Sequence, residues 1–160
     1  ELIDFKDKPK ELFELTPEER TELMLDNKLK AKTLYDNNKI PECIVYYKKA
    51  IDSLLDDLHP EKINILCNLA IIYAKLLDWN NSLIYIQKAY EIDNKNIKIL
   101  YWLAKVYYNL KKYDNAINIS KKLNHIDPNN SLSRLIIKDS LSNKKFENEK
   151  NKKMYQKMFC

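Results

Sequence analysis

The chain has 160 residues and a mass of 19.1 kDa, enough for one ordinary domain; 45% hydrophobic and 32% charged residues suit a folded protein better than a disordered one. Glycine is absent, where a ~7% norm would give about eleven; that excludes the P-loop, the dinucleotide fingerprint and the nucleophile elbow, whose backbones need a residue without Cβ. The net charge of +5 is uneven: −5 over residues 1–26, +6 over 27–137 and +4 over 138–160, an acidic lead-in followed by a basic body suited to an anionic partner.

Residues 1–15 read as a linker, and the first residue, Glu1, marks an expected excision from a longer protein. Thr16-Pro17-Glu18-Glu19 is a capping box with proline at the first helical position, and it opens a helix over 17–36. Asp36-Asn37-Asn38 supplies a turn, and Pro41 opens a second helix, 41–57. Pro60 opens a third, 60–76. Asp78 with Asn80-Asn81 turns the chain into 80–92, and Asp93-Asn94 turns it into 96–109. Two more helices follow over 113–125 and 131–158, separated by Asp127–Asn130. Asparagine takes the left-handed turn conformations that glycine usually supplies.

Three small-residue triplets recur at offsets of twelve and seven: Ala31, Cys43, Ala50; then Ala70, Ser82, Ala89; then Ala104, Ala116, with Leu123 ending the third. Small side chains let two antiparallel helices approach closely, and Leu34, Tyr73 and Tyr107 follow the first site of each triplet by three. The second and third units are 34 residues apart and the first and second 39, so about five residues are inserted near Leu54–His59, which lengthens the second helix. The pattern resembles three tetratricopeptide repeats. It implies an all-α, right-handed α-solenoid of three helix pairs over 16–130 (16–59, 60–95 and 96–130), closed by a basic capping helix, 131–160.

The segment Glu11-Leu12-Phe13-Glu14-Leu15-Thr16-Pro17-Glu18-Glu19-Arg20, the triplet Asn68-Leu69-Ala70 and the terminal Lys153-Met154-Tyr155-Gln156-Lys157-Met158-Phe159 narrow the likeness. They are similar to the linker, second repeat and final helix of large FK506-binding (FKBP-type) immunophilins. This resemblance implies a cytoplasmic co-chaperone module without catalytic activity of its own and without a cofactor or metal, any isomerase domain lying outside this sequence. In that family a groove docks the acidic Glu-Glu-Val-Asp tail of the chaperones Hsp90 and Hsp70.

The resemblance also carries over a carboxylate clamp. Lys28 matches the first clamp lysine, Asn68 the clamp asparagine, Lys75 a supporting lysine and Lys98 the lysine of the third groove helix. Ammonium and amide donors suit the two carboxylates of a terminal aspartate. Two positions depart from the pattern: Lys32 stands where asparagine is common, and Trp102 where lysine or arginine is expected, with Lys105 nearby to compensate. Because Trp102 leaves the clamp incomplete, an adaptor for a different peptide is the alternative. Lysine is so frequent here that Lys28, Lys75 and Lys98 also read as ordinary solvated-face residues, whereas Asn68 interrupts an apolar run.

Other candidates read as structure. His59 precedes a helix-opening proline, His125 ends a helix, and neither has a carboxylate or cysteine at useful spacing. Cys43, Cys67 and Cys160 form no CxxC pattern and read as reduced thiols, with Cys43 at a packing site. Asp56-Asp57 and Glu18-Glu19 are solvated helix ends, and Trp79 is a turn-packing residue. The lysine-rich final helix reads as a cap that packs near Ile136–Leu141 and then runs into solvent; a basic amphipathic segment of this sort is also of a type that binds calmodulin, as some immunophilin tails do. With two arginines among 28 basic residues, no specific nucleic-acid site is expected. No apolar run approaches the ~18 residues of a membrane helix, so no membrane partner is expected.

Overall fold

A computed structural model describes residues 10–54 and 59–159. All regular structure among them is helical. A 3-10 turn, Leu12–Glu14, precedes seven helices: α1 (Pro17–Asp36), α2 (Ile40–Asp52), α3 (Pro60–Lys75), α4 (Trp79–Ile92), α5 (Ile97–Asn109), α6 (Tyr113–Ile126) and α7 (Ser131–Phe159). The chain divides into two compact units, residues 1–65 and 66–160, the boundary falling within α3. In the first unit α1 packs on α2. In the second, α4 packs on α5, α5 on α6, and α7 on α6 and α5, the paired arrangement expected from the repeat.

The small residues sit where the repeat places them. Ala31, Cys43, Ala50, Ala70, Ser82, Ala89, Ala104, Ala116 and Leu123 are all fully buried. Ser82 goes further than filling space: its Oγ donates to the Ala70 carbonyl at 2.7 Å, joining α4 to α3 at the point of close approach. One helical turn along, the Tyr73 and Tyr85 rings stack with centroids 5.5 Å apart and planes 4° from parallel. Around these contacts the second unit buries Leu66, Leu69, Ile86, Ile99, Leu100 and Leu103.

Helix boundaries follow from local chemistry. At the start of α1 the Thr16 hydroxyl accepts from the Glu19 amide at 3.2 Å, and the Glu19 carboxylate accepts from the Thr16 amide at 2.8 Å. Lys10 reaches the same carboxylate at 2.6 Å, and its hydrogen bond is the main reason the Glu19 carboxyl titrates low. The turns after α1, α3 and α5 share one geometry. Asn38, Leu77 and Lys111 have φ of 58°, 60° and 57°, and each donates back to Tyr35, Ala74 or Tyr108 respectively. The next residue, Lys39, Asp78 or Lys112, donates to the carbonyl of Leu34, Tyr73 or Tyr107. This is a Schellman motif three times over, built without glycine.

Two expectations are corrected. The second helix does not run to 57 and is not lengthened: α2 ends at Asp52, and its 13 residues compare with 14 in α4 and 14 in α6. Ser53 Oγ donates to the Lys49 carbonyl, and Leu54 N–H reaches back only to Ile51, so a tight turn replaces the α-pattern. The rest of the insertion, with Asp56-Asp57, lies outside the described residues. At the other end, α7 stays attached beyond Leu141: Lys144 forms an ion pair with Asp114 of α6, and Glu147 lies near enough to Tyr113 to raise its phenol pKa, after burial, the larger cause. Further along α7, Phe146, Met154, Tyr155 and Met158 are exposed.

Candidate functional site

The residues of the expected clamp divide between the units: Lys28 and Lys32 lie in the first, and Asn68, Lys75, Lys98, Trp102 and Lys105 in the second. On α5, Lys98, Trp102 and Lys105 recur at helical spacing and share one face, while Leu100, Leu103, Ala104 and Tyr107 are buried. The first turn of that face is fixed by Asn96, whose Oδ1 accepts from the amides of Lys98 at 3.1 Å and Ile99 at 3.4 Å.

Lys98 is exposed and lies close to α3. Its charge favours ionisation of the Cys67 thiol, although burial is the larger effect and raises the pKa of that group, with Asp93 acting in the same direction. Half-buried Asn68 follows buried Cys67 on α3. Lys75 follows Asn68 by seven residues, on the same face and in the last turn of α3.

Trp102 is half-buried. Tyr101 meets it edge-on at 5.6 Å, and the Lys105 ammonium stands 4.8 Å from its ring centroid. A cation held over an indole at such a part-exposed site is worth about 0.5–1 kcal/mol. Where a guanidinium or ammonium was expected at position 102, the structure thus presents an indole carrying the ammonium of the residue one turn on. The positive charge remains on this face, displaced along α5.

In the first unit Lys28 is engaged. Its ammonium forms an ion pair with Glu61 in the first turn of α3, each side chain retaining 31% exposure. Lys28's hydrogen bond is the largest reason the Glu61 carboxyl lies below the usual carboxylate range; its charge, Asn64 and His59 add to this, while burial opposes it. Lys32, one turn on, is exposed. Glu61 is the residue that sequence reasoning missed: it lies 33 positions from Lys28, and no local spacing relates them.

The remaining candidates have structural places. His59 Nδ1 accepts from the Glu61 amide at 3.2 Å and so caps α3. His125 is exposed in the last turn of α6. Cys43 and Cys67 are free and buried, and burial pushes the Cys43 thiol up to about 11, in the direction that disfavours the reactive thiolate. Half-buried Trp79 begins α4. Among the described residues, no group of three or more His, Cys, Asp or Glu is placed to hold a metal ion, and no helix is long and apolar enough to cross a membrane.

Residues 75–145 match the family described as anaphase-promoting complex, cyclosome, subunit 3. The bovine (Bos taurus) peptidyl-prolyl cis-trans isomerase FKBP4 is 25% identical over 163 residues, an alignment covering 96% of this chain and 36% of that protein. The chain therefore spans about a third of the length of that relative. The C-terminal TPR-containing domain of the Plasmodium falciparum FK506-binding protein PFL2275c superposes with a TM-score of 0.74 at 25% identity, over 87% of this chain and 99% of that one. The first TPR domain of Spaghetti (RPAP3), bound to the HSP90 peptide SRMEEVD, superposes at 0.65 with 18% identity, over 76% and 93% of the two chains. The chain has the tetratricopeptide-repeat fold, resembles the C-terminal TPR domain of that FK506-binding protein, and shares its fold with the RPAP3 domain.

Proposed function

We propose that this domain docks the acidic carboxy-terminal tail of cytosolic Hsp90 or Hsp70 chaperones, and that it is the non-catalytic part of an FKBP-type isomerase or a related cytoplasmic protein. The observation that supports the reading is the shared face of α5 on which Lys98, Trp102 and Lys105 recur, with the Lys105 ammonium standing over the Trp102 ring. An RPAP3 domain of the same fold holds an HSP90 peptide ending in Glu-Glu-Val-Asp. On this reading Asn68 and Lys98 grip the terminal carboxylates, Lys75 and Lys105 draw in the upstream acids, and the sequence resemblance adds Lys28 and Lys32 as further donors. Each charge-assisted hydrogen bond contributes about 1.5–3 kcal/mol, and micromolar affinity corresponds to about −8 kcal/mol.

Titration calorimetry with an acidic pentapeptide ending in Glu-Glu-Val-Asp tests this directly. The free acid should bind in the micromolar range and weaken with salt, and its C-terminal amide should bind at least tenfold more weakly. Lys98→Glu and Asn68→Ala should each cost more than Lys121→Ala on α6. Equal affinity for acid and amide refutes the clamp. The Trp102–Lys105 pair supports a second reading, an adaptor for a peptide with an apolar side chain in place of one acid. Such a protein would prefer a peptide with leucine replacing an acidic residue, and Trp102→Arg would reverse that preference.

A further inference from the structure

The Lys28–Glu61 pair is placed oddly for a residue meant to receive a ligand's carboxylate. Lys28 already holds one, supplied by the chain itself, between α1 and the first turn of α3 within the first unit. The Glu61 amide donates to His59 Nδ1, and a hydrogen bond with Asn64 helps keep the Glu61 carboxyl ionised. Both partners keep about a third of their side-chain surface, so the pair is reachable from solvent and open to exchange.

We propose that Glu61 is a built-in competitor for the peptide carboxylate at Lys28, setting the affinity and the acid content that a ligand must have. This rests on the peptide-docking reading above. A ligand carboxylate arriving at Lys28 must displace Glu61 or share the three-donor ammonium with it, and either way a second anion stays close by. A weakly acidic peptide gains nothing from that exchange. A tail with several acids gains, because its other carboxylates remain bound elsewhere while one competes locally. Glu61 thus weakens binding generally and discriminates in favour of multiply acidic tails.

The test is a double-mutant cycle read by fluorescence anisotropy with the labelled pentapeptide ending in Glu-Glu-Val-Asp and its amide. Glu61→Gln keeps the side-chain size and removes the competing charge. From the usual worth of a part-exposed ion pair, it should tighten binding about three- to fivefold. The gain should vanish in a Lys28→Ala background. Glu91→Gln removes the same charge from an exposed position on α4 and controls for net charge; it should change affinity less than 1.5-fold, roughly what a screened remote charge gives. Unchanged or weaker binding by Glu61→Gln overturns the proposal, as does an equal gain with and without Lys28. If the unmutated domain fails to distinguish acid from amide, the docking reading falls and this inference with it. If it does distinguish them while Glu61→Gln has no effect, only the competitor role falls. Circular dichroism melts of each variant confirm that affinities are read on folded protein.

Discussion

Leu77, like Asn38 and Lys111, adopts a left-handed backbone that a residue with a Cβ disfavours. It stands at φ 60° in the turn between α3 and α4, donating to Ala74 while Asp78 donates to Tyr73. A residue with a Cβ loses about 1–2 kcal/mol in the left-handed region. Glycine there would recover that, less about 0.5–1 kcal/mol for its greater freedom in the unfolded chain. The lost side chain matters little: Leu77 is 72% exposed, close to the exposure of leucine in a realistic unfolded ensemble. Leu77→Gly should therefore stabilise the domain by about 0.5–1 kcal/mol, which for a chain of this size raises Tm by about 1–4 °C. Leu77→Ala separates backbone from side chain, since it removes the same atoms beyond Cβ but keeps the steric cost. Urea unfolding followed by circular dichroism should place glycine above both leucine and alanine, and Asn38→Gly should gain less, because asparagine tolerates this region. Alanine as stable as glycine at position 77 would refute the reasoning.

Three further outcomes are expected. Ala104 is fully buried at a close helix approach, so Ala104→Leu should destabilise by about 1–3 kcal/mol through overpacking, seen as a lower urea midpoint. Lys112 is the N-cap residue of α6 but makes no side-chain cap, whereas Asp78, the N-cap of α4 with nearly the same φ and ψ, accepts from the Asn81 amide at 3.1 Å. Lys112→Asp should accordingly stabilise by about 1 kcal/mol, through the cap and the helix dipole, in the same unfolding assay. Cys43, its pKa raised to about 11 by burial, should remain unlabelled by maleimide at pH 8 until the domain unfolds, and should react at once in urea; peptide mass spectrometry distinguishes the two.

Much of the fold was legible because it is local and periodic. Capping boxes, prolines and asparagine turns act over three or four residues, and the triplets of small side chains report helix approach at fixed offsets. All seven helices begin within one residue of where these signals place them. The end of α2 was missed because the signal there is a competition: a serine hydroxyl and a shortened hydrogen bond outweigh continued helical spacing. The reach of α7 was missed because Lys144 meets Asp114 across 30 positions.

The candidate site divides along the same line. Residue type and spacing along one helix place Lys98, Trp102 and Lys105 on a common face of α5, since the 3.6-residue period alone fixes it. The sequence alone also determined an all-helical chain of small-residue contacts, with no glycine available for phosphate loops. Tertiary structure decided what each cation faces: Lys98 near Cys67, Lys105 over the Trp102 ring, and Lys28 held by Glu61. Charge interactions depend on distance through space, and folding brings together groups that no periodicity in the chain connects.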